Sequence, residues 1–138
     1  MRLIRGLPPA GTLQGGQALT VGTYDGLHLG HQALLARVRE HARRLGVPTL
    51  MVTFEPMPRE FLSPDNPPAR LTSLRERWRR LEHMQLDRLC VLQFGAATRS
   101  LSAEQFAALL RKAQIDSRGR HHGERHRDPE SEQMMQIV

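Results

Sequence analysis

Two histidines, His28 and His31, lie three residues apart in the stretch VGTYDGLHLGH, which covers residues 21–31. At the start of a helix this spacing brings both side chains onto one face, so both imidazoles could donate hydrogen bonds to a single phosphoryl group. In phosphoryl or nucleotidyl transfer the protein mainly aligns the reactants and stabilises the charge that develops on the phosphate oxygens. The pair therefore predicts a clamp on an anionic group, with no need for a protein nucleophile.

Three glycines in the same stretch support an anion site. Gly22, Gly26 and Gly30 remove side chains where the backbone would have to approach a ligand closely or adopt positive φ. The helix that follows presents free N–H groups and the positive end of its dipole. Phosphate is the first candidate, although the spacing matches neither the dinucleotide pattern G-x-G-x-x-G nor the phosphate loop G-x-x-x-x-G-K-[ST].

Other interpretations of these residues are weaker. A single histidine at a helix start more often caps or packs than catalyses, and a bare glycine-rich loop is weak evidence. Zinc prefers about four ligands, so a zinc site would need help from Cys90 or from His121, His122 and His126 near the C-terminus. We therefore predict no metal site, and we expect Cys90 to be a small buried hydrophobe.

The elements around the histidines can be predicted from their patterns. ALTVGT is typical of a strand, and the segment after it predicts a helix that begins near His31 and stops at Gly46. The expected buried stripe of this helix is Leu34, Leu35, Val38, Ala42 and Leu45. The apolar run TLMVTF at residues 49–54 is typical of a parallel strand covered on both faces.

The rest of the sequence continues the alternation of strands and helices. Residues 55–71 contain five prolines, which predicts a long irregular connection of the kind that often binds ligands. Ser73 and Glu76 form a capping box for a second helix, whose expected buried stripe is Leu74, Trp78, Leu81 and Met84. The segment RLCVLQF predicts a third strand, and SAEQFAALLRK predicts a third helix that is capped by Ser102 and Gln105. A short strand is also expected near the N-terminus, at Leu3 and Ile4.

Alternation of strands and helices predicts an α/β fold with a parallel sheet and right-handed crossovers. With 138 residues we expect one domain, and 39% hydrophobic and 25% charged residues are ordinary for a globular protein. No apolar run spans a membrane and no secretory signal is evident, so we expect a cytoplasmic protein. The net charge of +6 comes from scattered arginines, which makes nucleic-acid binding an unlikely function.

At these residues the sequence resembles the nucleotidylyltransferases that carry an H-x-G-H motif, here HLGH at residues 28–31. Within that superfamily, TVGTYDGLHLGHQALL is most similar to the FAD synthetase module of bacterial bifunctional riboflavin kinase/FAD synthetases. VTFEPMPREF and PARLTSLRERWRRLEHMQLDRLCVLQF are also similar to segments of that module. The resemblance covers residues 1–112 and implies a Rossmann-like parallel sheet with flanking helices, incomplete on its C-terminal side.

The resemblance implies adenylyl transfer from ATP to FMN, giving FAD and pyrophosphate, with Mg²⁺ as the activating ion. His28 and His31 would stabilise the pentavalent phosphorus. The expected ATP-binding residues are Gly22, Thr23, Tyr24, Asp25, Gly26 and Gly30. Tyr24 stands where the family commonly has phenylalanine, with little expected consequence because the ring is kept. Phe54, Pro56 and Pro58 would border the flavin ring as a rigid apolar wall.

Residues 113–138 depart from the family. They lack the expected further strand, the flavin loop and the Ser/Thr-rich segment ending in arginine, and the kinase module does not follow. We therefore expect a partial domain over residues 1–112 and a polar, disordered tail over 113–138. Truncation is expected to impair catalysis, the alternative being an inactive fragment with at most weak nucleotide or flavin binding. An exposed edge at the third strand would invite self-association.

Overall fold

The computed structural model describes residues 1–9, 12–13, 15–114 and 136–137. Within these residues a single five-stranded sheet is flanked by helices, which confirms the predicted α/β class. The strands are β1 (Arg2–Arg5), β2 (Ala18–Val21), β3 (Thr49–Phe54), β4 (Arg88–Leu92) and β5 (Gln136–Ile137). The helices are α1 (Leu29–Leu45), α2 (Pro58–Leu62), α3 (Leu74–His83), α4 (Ala96–Arg99) and α5 (Ala103–Gln114).

The strands follow the order β1-β4-β3-β2-β5, and every neighbouring pair is parallel. The predicted strands are thus present, including the short one at Leu3 and Ile4, which is β1. Because all strands run in one direction, their carboxyl ends lie along the same edge of the sheet. Open α/β sheets bind ligands outside this edge, and the turn from β2 to α1 leaves from it.

The third predicted strand, β4, does not lie at an edge, so the prediction of an exposed edge there is wrong. β1 pairs with it over four residues, from Arg2 opposite Arg88 to Arg5 opposite Val91. A strand at the N-terminus can cover β4 because parallel partners are joined through crossover connections and can lie far apart in the sequence. Self-association through a sheet edge stays a prediction.

Helix α1 begins two residues earlier than predicted. His28 has an extended backbone, with φ −64° and ψ 172°, and its side chain caps the helix. Leu35, Val38 and Ala42 are buried as expected, whereas Leu45 is 46% exposed and does not belong to the buried stripe.

Val47 covers the C-terminal end of α1 in place of Leu45. Its amide donates a hydrogen bond to the carbonyl of Ala42 at 3.0 Å. The chain therefore folds back after the helix, and Val47 packs against Ala18, Val38 and Ala42.

Both predicted capping boxes are confirmed. The Ser73 and Glu76 side chains bond each other's backbone amides at the start of α3. The Ser102 amide donates to Gln105 Oε1 at 2.8 Å, and the Gln105 amide donates to Ser102 Oγ at 3.2 Å. The two short helices α2 and α4 were not predicted. Helix α2 lies within the proline loop, which we define as residues 55–73, and it begins at Pro58, a residue that the first turn of a helix tolerates.

The core lies on both faces of the sheet. One face packs the side chains of α5, including Phe106 and Leu110, against Leu19, Leu50 and Val52. The other packs α1 and α3, and its buried members are Tyr24, Leu27, Leu35, Met51, Leu81, Leu86, Leu89 and Val91. Cys90 is 1% exposed, as predicted.

The predicted tail, residues 113–138, lies mostly outside the described residues. Ala113 and Gln114 continue α5, and Gln136–Ile137 form β5 beside β2, while the expectation of a disordered tail stays a prediction. Within the described part of the chain, no helix has both the length and the apolar character needed to cross a membrane.

Candidate functional site

A cleft of about 320 Å³ opens at the carboxyl edge of the sheet. One wall is the β2–α1 turn (residues 22–28) with the first turn of α1, and the other is the proline loop. The lining residues are Thr23, Asp25, His28, His31, Met57, Arg59, Glu60, Pro68, Ala69 and Leu71. The structure thus brings both predicted histidines and two of the predicted nucleotide-binding residues to one cleft.

The His28 and His31 rings stack on each other, with centroids 3.7 Å apart and an angle of 22° between their planes. His28 Nδ1 accepts a hydrogen bond from the His31 amide at 3.4 Å. Because Nδ1 acts as an acceptor, the proton of a neutral His28 lies on Nε2, which stays available as a donor. His28 is therefore both a helix cap and a candidate ligand-binding group, so the capping interpretation and the clamp are compatible.

Helix α1 adds its own positive end to this pair. The amides of Leu29 and Gly30 precede the first intrahelical donor, the Gln32 amide, which bonds the His28 carbonyl at 3.0 Å, and no residue in the first turn is acidic. A Cβ on Gly30 would lie 3.2 Å from Cε1 of the His28 ring. Glycine therefore lets the imidazole lie close to the helix N-terminus.

Burial sets the electrostatics of His31. Its Nδ1 is buried and has no hydrogen-bond partner among the described residues. Burial lowers the pKa of His31, the charge of His28 lowers it further, and Asp25 opposes both. The His31 ring is thus biased towards its neutral form.

Tyr24 supports His31 from the core. Its side chain is only 1% exposed, its hydroxyl bonds the Thr20 hydroxyl, and its ring centroid lies 4.9 Å from that of His31. It is absent from the cleft lining. The ring of Tyr24, a predicted ATP-binding residue, thus lies behind one of the histidines, and its role in ATP binding stays a prediction.

Asp25 joins the two walls of the cleft. Its carboxylate accepts hydrogen bonds from the Leu71 amide at 2.9 Å, the Thr72 amide at 2.8 Å and the Thr72 hydroxyl at 3.0 Å. Burial raises the pKa of Asp25, but these hydrogen bonds and the charge of Arg77 lower it more, so the net pKa is below its usual value. Beside it, the Gly26 amide, at φ +77°, donates to the Thr72 hydroxyl at 3.1 Å.

The residues predicted to border the flavin lie beside this cleft and are not part of its lining. Phe54 is half-buried and meets Phe94 edge to face at 5.5 Å between centroids. Phe61 meets Phe94 in a similar way at 5.6 Å. Pro56 and Pro58 flank Met57, a buried residue that does line the cleft. An aromatic group of three rings, two of which were not predicted, therefore adjoins the proposed flavin segment.

Two arginines near the site were missed in the sequence. Arg59 lines the cleft, is exposed, and its side chain has no hydrogen-bond or ion-pair partner in the part of the chain that is described. Arg77 is fully buried and bonds the Thr23 carbonyl at 2.8 Å. A signal for Arg77 was present, because it lies three residues after Leu74 and four before Leu81, on the buried stripe of α3.

The described residues provide no protein cage for Mg²⁺. Among them, no group of three His, Cys, Asp or Glu side chains could hold a metal ion. Of the carboxylates in the cleft, Asp25 bonds Leu71 and Thr72, and Glu60 bonds Arg70 and the Met57 amide. Mg²⁺ is usually bound by one or two carboxylates together with substrate phosphates and does not need a cage of protein ligands.

Comparison with protein families and relatives gives a consistent result. Residues 11–119 match the family model described as FAD synthetase. A bifunctional riboflavin kinase/FMN adenylyltransferase from Pseudomonas fluorescens is 46% identical over 106 residues, which are 77% of this chain and 34% of the relative. The protein of the same name from Escherichia coli K12 is 39% identical over 111 residues, 80% of this chain and 36% of the relative. The chain thus spans about a third of the length of these curated relatives.

A solved structure has a similar fold. It is titled a macrolide-efflux protein from Streptococcus pneumoniae, and it aligns with a TM-score of 0.71 and 29% sequence identity. The alignment covers 82% of this chain and 45% of the other. The likeness extends over most of the sheet and helices described above.

Proposed function

This chain belongs to the FAD synthetase family, and from that premise we propose that it transfers the adenylyl group of ATP to FMN. The resemblance inferred from HLGH, FEPMP and PARLTS is confirmed by the family match. In the proposed reaction a phosphate oxygen of FMN attacks the α-phosphorus of ATP. The new P–O bond gives FAD, and the bond to the β-phosphate breaks to release pyrophosphate.

The observation that carries the proposal is the stacked pair of imidazoles at the N-terminus of α1. His28 and His31 line one cleft together with Arg59, which gives three side chains able to donate hydrogen bonds to phosphate oxygens. Burial lowers the pKa of His31, so its imidazole is biased towards the neutral form, which can still donate one hydrogen bond. We propose that the two histidines stabilise the charge that develops on the α-phosphate in the transition state.

The other substrate contacts are proposals of the same kind. The β2–α1 turn is the proposed site of the nucleotide, through the backbone of Gly22, Tyr24, Gly26 and Gly30 and through Thr23. The proposed flavin site is the segment of Phe54, Pro56 and Pro58, with the neighbouring aromatic rings as support. Mg²⁺ is proposed to accompany the ATP phosphates.

The test is FAD formation by the purified chain with FMN, ATP and Mg²⁺, measured by chromatography. His28→Asn keeps a residue that caps helices well and removes the imidazole, while His31→Gln removes the second ring. Each change should lower the rate about 10²- to 10³-fold. His83→Asn, at the exposed end of α3, is the matched control and should leave the rate unchanged.

Two outcomes would refute the proposal. A rate for the unchanged chain that equals the background of the His28→Asn/His31→Gln double variant would refute adenylyl transfer. Calorimetric titration that detects neither ATP nor FMN would also refute nucleotide and flavin binding. Binding of both substrates without turnover would restrict the chain to a binding function.

A further inference from the structure

Arg77 holds an unusual place for a charged side chain. It is 0% exposed, in the middle of α3, and its guanidinium reaches the carboxyl ends of two strands. Nη1 donates to the Thr23 carbonyl at 2.8 Å and to Thr53 Oγ1 at 3.2 Å. Nη2 donates to Glu55 Oε2 at 3.2 Å. One side chain therefore bonds the β2–α1 turn, the end of β3 and the start of the proline loop.

Packing alone does not explain this arginine. Burying a charge is unfavourable even when it is paired, and an apolar side chain of similar volume is often as stabilising. Nε of Arg77 is buried without a hydrogen-bond partner among the described residues, which adds to the cost. What an apolar replacement would lose is the set of hydrogen bonds to three segments of the cleft.

The hydrogen bonds continue from Arg77 into the far wall of the cleft. Glu55 also binds Arg70, and Nη2 of Arg70 donates to Glu60 Oε2 at 2.7 Å. The same Glu60 oxygen accepts a hydrogen bond from the Met57 amide at 2.9 Å, at the start of α2. An unbroken chain of polar contacts thus links the turn before the histidines to the segment proposed to bind flavin.

We propose that Arg77 is a positioning residue that fixes the separation between the β2–α1 turn and the proline loop, and hence between the two substrates. The role in catalysis rests on the proposed function. The role of Arg77 in setting the distance between the two walls depends only on its hydrogen bonds to Thr23, Thr53 and Glu55.

In-line attack requires the FMN phosphate and the ATP α-phosphate to meet at the correct distance. Misplacement by about 1 Å can lower the rate about 10²-fold. Each substrate would still bind to its own wall of the cleft. Loss of Arg77 should therefore lower kcat while leaving the separate dissociation constants of ATP and FMN almost unchanged.

The geometric role can be measured without catalysis, with spin labels on the two walls. Leu29, at the start of α1, is 81% exposed, and Leu62, at the end of α2, is 52% exposed. Both are replaced by Cys and labelled. The native Cys90 is buried, and burial raises the pKa of its thiol to about 11, so it should not react with the label under native conditions. Pulsed electron paramagnetic resonance then gives the distribution of label distances.

Two substitutions and a control are compared in this labelled chain. Arg77→Met keeps an unbranched side chain without charge. Arg77→Lys keeps the charge, but its single ammonium group cannot form the same set of hydrogen bonds as the planar guanidinium. This variant is measured in its place if Arg77→Met does not fold. Arg79→Met is the control, on an exposed position of the same helix. We expect a broadened or shifted distribution for both Arg77 variants and an unchanged one for Arg79→Met. An unchanged distribution in a folded Arg77 variant would overturn the proposal.

Activity gives the second readout. We expect Arg77→Met to lower kcat about 10²-fold and each dissociation constant to change less than about threefold. Equal losses in kcat and in both affinities would also overturn the proposal, because they would indicate a general structural role. If the unchanged chain makes no FAD, the proposed function fails by itself, and the label distances still decide the role of Arg77.

Discussion

Replacing Asp25 with asparagine should loosen the connection between the two walls of the cleft. Asp25 Oδ1 accepts hydrogen bonds from the Thr72 amide and hydroxyl, and the Leu71 amide donates to both carboxylate oxygens, to Oδ2 at 2.9 Å and to Oδ1 at 3.1 Å. In Asp25→Asn the amide oxygen can keep the two bonds to Thr72 and the longer bond from the Leu71 amide. The new NH₂ group cannot accept the shorter bond from Leu71, so that bond to a charged acceptor is lost and two donors face each other.

The expected loss follows from that single bond. A hydrogen bond to a charged group contributes about 1.5–3 kcal/mol. Asp25 is only half-buried, so solvent reduces this value. We expect the free energy of unfolding to fall by about 1–2 kcal/mol near neutral pH.

The loss should depend on pH, because the folded structure holds the net pKa of Asp25 below its usual value. A carboxyl with a depressed pKa stabilises the fold above the unfolded pKa of about 3.9, and this stability is lost as pH falls through the folded pKa. Asparagine does not titrate in this range. The difference between the two proteins should therefore shrink as the solution is acidified below pH ~4.

Urea unfolding at several pH values measures this difference. Asp65→Asn makes the same chemical change on an exposed residue of the proline loop whose side chain bonds no described residue, and it should have little effect at any pH. A loss that is the same at neutral and acidic pH would contradict the assignment to the Asp25 charge. So would a loss of equal size in Asp65→Asn.

Two further predictions concern the site and the core. The pKa of His31 should lie below the usual value of about 6.5 in an NMR pH series, because burial and then the charge of His28 lower it. Bound ATP should raise this pKa. A pKa at or above about 6.5 in the free protein would contradict the argument from burial. Leu89→Ala, at a fully buried position of the interior strand β4, should lower the free energy of unfolding by about 2–5 kcal/mol. Leu3→Ala on the edge strand β1, where the side chain is 37% exposed, should cost less than about 1 kcal/mol, and similar losses in urea unfolding would contradict this difference.

Most strands and the longer helices could be predicted from the amino-acid sequence, and so could the position of the candidate site at the β2–α1 turn. Strands, helices and capping boxes depend on residues a few positions apart, so their patterns are visible in the chain. The stacking of His28 and His31 belongs to the same class, because their spacing of three residues at a helix start brings the rings together. Two predictions from local patterns failed: Leu45 is not buried, and the short helices α2 and α4 were not predicted. A helix end or a single helical turn has too few residues to show a periodic pattern.

The polar contacts across the cleft could not be predicted from the sequence, because they depend on how distant segments pack. Asp25 and Leu71 are 46 residues apart, and Arg77 and Thr23 are 54 apart. A periodic pattern shows that Arg77 lies on the buried stripe of α3. It cannot show that the Thr23 carbonyl and the Glu55 carboxylate accept hydrogen bonds from its side chain. Likewise β1 pairs with β4, which lies far along the chain, as the pairing of Arg2 with Arg88 shows. Such partners are fixed by how the elements pack, because hydrogen bonds form between neighbours in space and carry no signature in the local sequence.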